Sequence, residues 1–75
     1  MPYIAIKAFP KDEATKQALV ERINQAVLDT VGCPPEAVTI SMEEFAPEEW
    51  NEKVKEPEIL KKMDKMMILN GKKMK

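Results

Sequence analysis

The sequence predicts an α/β fold: a β-α-β unit with parallel strands plus a C-terminal helix, completed by self-association into a four-stranded sheet. Three observations lead there. Tyr3 to Phe9 and Val38 to Glu43 alternate their side chains with period two, the mark of strands with two distinct faces. Between them apolar residues recur at three- and four-residue steps, the mark of an amphipathic helix. Nothing after Phe45 resembles this first half, and two parallel strands alone form too small a sheet, with both edges open. The missing strands must come from another copy of the chain.

In the first strand Ile4, Ile6 and Ala8 alternate with Tyr3, Ala5 and Lys7. Pro10 ends it, because proline brings no N–H to a ladder. Asp12 stands at the helix N-cap and Glu13 puts negative charge in the first turn, so the helix begins at Glu13. Ala14, Ala18, Leu19, Arg22, Ile23, Ala26, Val27 and Val31 form the stripe that faces a core, with the stem of Arg22 at its margin. Lys16, Glu21, Gln25 and Asp29 lie off it, and Val20 and Leu28 widen it toward a second packing partner. Gly32 suits a left-handed C-cap and Pro34-Pro35 forbids continuation, giving a helix over residues 13–31.

Val38, Ile40 and Met42 then alternate with Thr39, Ser41 and Glu43. A strand reached through a helix runs parallel to the first, with a right-handed crossover. The stretch "APEEWNEKVKEPE" is a polar connection carrying the one tryptophan, Trp50. Ile59, Leu60, Met63, Met66 and Met67 repeat at helical spacing and predict a second helix over Pro57 to Leu69. Pro57 suits its first turn, Asn70-Gly71 its stop, and Lys72, Lys73 and Lys75 the negative end of its dipole. Residues 1–75 read as one domain, with the β-α-β core over 2–45 and the Trp50 connection and C-terminal helix over 46–75.

Composition removes several functions. Lys and Arg number 12 against 13 Asp and Glu, scattered along the chain for a net charge of -1, which argues against a nucleic-acid or anionic-membrane partner. No apolar run approaches the roughly 20 residues that span a bilayer. Cys33 is the one cysteine, so no disulfide or thiolate metal site is available, and a reducing, cytoplasmic setting is the simplest reading. The absence of histidine excludes a Ser/His/Asp triad, a Cys/His pair, an HExxH zinc site and an imidazole base. Met63, Met66 and Met67 could in principle bind a soft metal, but with no cysteine or histidine beside them they read as core methionines.

Pro2 is the candidate that replaces the missing base. A strand's first residue can do without an N–H, and a small second residue permits removal of Met1. Proline then carries a secondary amine, rigid in direction. Burial and a nearby cation both disfavour its charged form, which suits a general base. Tyr3 beside it offers a hydroxyl, though strand and interface packing explain it as well.

Over "PYIAIKAFPKDEATKQALVERINQAVLDTVGCPPEAVTISMEEF" the order is proline, immediate strand, basic residue, acid-capped helix, Gly before a Pro-containing loop, and alternating strand. Together these resemble the 4-oxalocrotonate tautomerase family, over residues 2 to about 50. The resemblance implies keto-enol tautomerisation by an amino-terminal proline that moves a proton between an enol oxygen and a carbon, without cofactor or metal. It makes Pro2 catalytic. Lys11 falls where the family commonly has an arginine holding a substrate carboxylate, and would bind it as a point charge instead of a bidentate fork. Trp50 coincides with an aromatic position lining the family's site. Thr39 falls where better-studied members carry a second arginine, and Arg22 matches neither arginine position.

The C-terminal half lacks the Gly-rich hairpin segment of the hexameric members and reads as a helix in its place. In this it resembles the dimeric branch, which includes tautomerases acting on phenylpyruvate or 2-hydroxymuconate. The expectation is an isomerase: a cofactor-independent tautomerase of small 2-hydroxy-alkenoate or arylpyruvate-like acids, working as a homo-oligomer, a dimer by preference and a hexamer by alternative. The competing expectation is a non-catalytic self-associating domain on the same scaffold, for which Thr39 is the main argument. Hydration or dehalogenation of an unsaturated acid would need a placed carboxylate to activate water, and the sequence offers none.

Overall fold

Strand β1 (Tyr3–Ala8) pairs in parallel with strand β2 (Thr39–Glu44) in the computed structural model, which describes residues 1–75. Tyr3 stands opposite Thr39, Ala5 opposite Ser41 and Lys7 opposite Glu43. Helix α1 (Glu13–Val31) connects them, making the β-α-β unit the sequence predicts. The Asp12 side chain accepts the Thr15 N–H at 3.3 Å, and the Thr15 hydroxyl donates to the same carboxylate. Gly32 closes the helix at φ 76°, its N–H donating to the Leu28 carbonyl at 3.1 Å. A 3₁₀ turn, Pro35–Ala37, leads into β2.

Glu44 fixes which face of the sheet the helix covers. It lies on the same face as Ile40 and Met42 and reaches Lys16 of α1 at 3.2 Å. Along α1 the more sheltered residues are Lys16, Leu19, Val20, Ile23, Asn24, Val27 and Leu28, whereas Ala14, Ala18, Arg22, Ala26 and Val31 are exposed. The covered stripe is therefore turned from the expected one: the larger Val20 and Leu28 belong to it, and the alanines look outward. Lys16 belongs to it because Glu44 receives its ammonium. The opposite sheet face bears Tyr3, Ala5, Lys7, Thr39, Ser41 and Glu43.

The chain divides into two units, Met1–Glu44 and Phe45–Lys75. In the second, the expected polar connection is helical. Helix α2 (Pro47–Trp50) opens with Pro at its first position, and the Glu49 carboxylate accepts the Ala46 N–H at 3.2 Å. It runs into a π-helical stretch, Asn51–Ile59, and then a 3₁₀ stretch, Leu60–Lys65. Pro57 is thus interior rather than first. It has no N–H and would crowd the carbonyl of an ordinary α-turn, and the wider π-turns accommodate it.

The predicted helix to Leu69 ends early, and Asn70-Gly71 is a hairpin turn joining strands β3 (Ile68–Leu69) and β4 (Lys72–Lys73). Both turn residues have positive φ, 51° and 79°, the geometry of a type I′ turn. So a hairpin is present where the sequence predicts only a helix. Lys75 does meet a helix end, its ammonium donating to the Asp64 carbonyl. Val54, 3% exposed, is the one buried residue of the chain. Neither unit encloses a large core.

Candidate active site

Pro2 heads β1 and is half-buried. Its carbonyl accepts the Thr39 N–H at 3.1 Å, which ties the entrance of β1 to the entrance of β2. Because the strands are parallel, Thr39 is the first β2 residue beside Pro2, and its exposed side chain brings a hydroxyl instead of a charge. On that face the Tyr3 hydroxyl lies 3.3 Å from the Ser41 hydroxyl. Met1 is 98% exposed. While it is attached, the Pro2 nitrogen is an amide without useful basicity.

Lys11 lies beyond the other end of β1. Its N–H donates to Glu44 Oε2 at 2.7 Å, while Glu44 Oε1 accepts from the Lys16 ammonium at 3.2 Å. Lys16 also meets Glu13 at 3.5 Å. The Lys11 N–H and then Lys16 hold the Glu44 carboxyl below the usual carboxylate range, and Glu44 and Glu13 raise Lys16 above the usual lysine range. The bond from Lys11 uses its backbone and leaves its ammonium outside it.

Within one chain Pro2 and Lys11 are not brought together. The six residues of β1, at about 3.3 Å each, put about 16 Å between its ends, farther than a small planar acid reaches. Trp50 closes α2 in the second unit, half-buried. Arg22 is exposed, in the middle of α1. No group of three or more Cys, Asp and Glu side chains converges as a metal site would need. Glu44 escaped the sequence reading, although Glu43-Glu44 already breaks the alternation at the end of β2: one acid looks to each face.

The sequence profile described as "Tautomerase enzyme" matches residues 2–56, beginning at Pro2. Tautomerase PptA of Cronobacter sakazakii is 32% identical over 66 residues, which cover 85% of this chain and 87% of that protein. A probable tautomerase of Bacillus cereus is 36% identical over 47 residues, 61% of this chain and 77% of its own. A probable tautomerase of Bacillus anthracis matches to the same extent, 36% over 47 residues.

Proposed function

The chain belongs to the tautomerase enzyme family and is an isomerase of the 4-oxalocrotonate tautomerase type, and from that premise we propose that Pro2 is its proton carrier. Freed by removal of Met1, the proline nitrogen takes the proton of an enol oxygen and a proton is returned to the carbon. The O–H bond breaks, the C–H bond forms, and the enol becomes its keto isomer with no change in composition. The substrates are small 2-hydroxy-alkenoate or arylpyruvate-like acids. Lys11 holds the carboxylate, and Trp50, inside the matched residues, supplies an apolar wall against the planar enol.

The observation that supports this most is the place of Pro2: the family match starts there, at the head of a strand whose first residue needs no N–H. The matched relatives bear the names tautomerase and probable tautomerase, which favours catalysis over a purely self-associating scaffold. The matched stretch also crosses the boundary between the two units, and we read both as one functional domain. The free Cys33 fits a reducing, cytoplasmic setting.

The separation along β1 favours a site shared between two copies. A two-fold axis that joins two sheets edge to edge sets the meeting strands antiparallel, so the Pro2 end of one copy comes to the Lys11 end of the other. The same pairing covers an open strand edge and completes a four-stranded sheet. A dimer is the smallest assembly that does both.

Intact mass and an ultraviolet assay test the role of Pro2. The native protein is expected to lack Met1, and Pro2→Ala to lower kcat/KM for phenylenolpyruvate or 2-hydroxymuconate by about 100-fold or more, the usual contribution of a positioned acid-base group. Retained Met1, or equal rates for the two proteins, contradicts proline catalysis.

A further inference from the structure

We infer that Glu44 is a positioning residue for substrate binding: by accepting the Lys11 N–H it sets where the substrate-holding ammonium stands. The inference rests on the reading of Lys11 as the carboxylate-holding residue and goes one step behind it. Lys11 lies in the short link between Ala8, the end of β1, and Glu13, the start of α1. Pro10 just before it has no N–H to give. The Lys11 N–H meets Glu44 Oε2 at 2.7 Å, a short, charge-assisted bond that pins the link to the end of β2.

Lys16 grips the other carboxylate oxygen at 3.2 Å, so Glu44 is held from two sides. The two side chains are 26% and 29% exposed. Two consequences follow for Lys11. Its backbone is fixed while its ammonium stays outside the bond. And the Glu44 charge, already answered by Lys16, competes less for that ammonium than an unpaired carboxylate would. A lysine presents its charge on a flexible four-carbon stem without the directional fork of arginine, so the anchor of the stem decides more of the binding geometry here.

The test is the series Glu44→Ala, Glu44→Gln and Glu44→Asp, assayed on phenylenolpyruvate and on its methyl ester, with Lys11→Ala and Glu43→Ala alongside. Glu44→Ala is expected to raise KM for the acid about tenfold with kcat within about twofold, and to leave kcat/KM for the ester unchanged, because the ester has no carboxylate for Lys11. Glu44→Gln keeps an acceptor of the same reach and is expected to recover KM to within about threefold. Glu44→Asp keeps the charge but falls a methylene short of the N–H, and is expected to recover less. Glu43→Ala, on the other sheet face, should leave KM unchanged.

Equal losses on acid and ester, or Asp rescuing better than Gln, overturn the inference in favour of a general structural or charge effect. If Lys11→Ala raises KM while Glu44→Ala does not, Glu44 is not the anchor and the Lys11 role stands. If Lys11→Ala leaves KM unchanged, both fall together.

Discussion

At the scale of single residues, the proposed site draws on side chains whose assignment depends on very different amounts of context. The proposal for Pro2 comes from the sequence itself, because only proline offers a secondary amine and no histidine competes for the role. The proposal for Lys11 comes only through resemblance, since a lysine at a helix start is otherwise a solvated charge. Glu44 was not legible: its two partners lie 33 and 28 residues away, and strand pairing alone brings them to it. The same acid clusters give a pH dependence. Asp12 (through Thr15), Glu13 (through Gln17), Glu44 (through Lys11) and Glu49 (through Lys53) are all held below their ordinary values of 3.8 and 4.5. A depressed folded-state value stabilises above the unfolded one, and that contribution is lost as pH falls through it. Thermal unfolding followed by circular dichroism is therefore expected to show a flat Tm near neutrality and a fall below about pH 4.5, shallower for Glu44→Gln. A Tm that rises on acidification contradicts these assignments.

At the scale of elements, α1 was readable to both ends because its stop and start are written locally: an Asp that caps and a Gly at φ 76°. The Gly32 position gives a clean prediction. A Cβ there meets nothing within 4 Å, so the cost of Gly32→Ala comes from the left-handed backbone alone. It is expected to be about 1 kcal/mol, a Tm lower by roughly 4–8 °C for a chain of this size; an unchanged Tm would mean the cap is not formed in solution. The turn of α1 about its axis was not readable, because alanines and valines on adjacent rows look alike to periodicity and only the covering strands choose between them. The C-terminal half misled for a similar reason. Pro47 with Glu48 and Glu49 is the true start signal, yet Pro57 offers a second one, and a π-turn that lets proline sit inside a helix leaves no mark in the sequence. Asn70-Gly71 serves a helix stop and a type I′ hairpin equally well, and the strands it joins are two residues each, too short to show alternation.

At the scale of the whole molecule, the proposed site asks for more than one chain. A chain of 75 residues hides only about 60% of the surface it exposes unfolded, and here Val54 alone is buried. Both strands of the parallel pair are edges. The expectation of a second copy comes from size and strand count, while the proposal of a shared site comes from the length of β1, which separates Pro2 from Lys11 within one chain. The central claim, that each site joins Pro2 of one copy to Lys11 of another, is tested most directly by complementation. Pro2→Ala and Lys11→Ala, unfolded together in equal amounts and refolded, pair at random, and half of the dimers are mixed. Each mixed dimer has one site with both residues intact, so the mixture is expected to recover about a quarter of wild-type activity at low substrate, far above the average of the two variants alone. Activity no greater than that average would contradict the shared site.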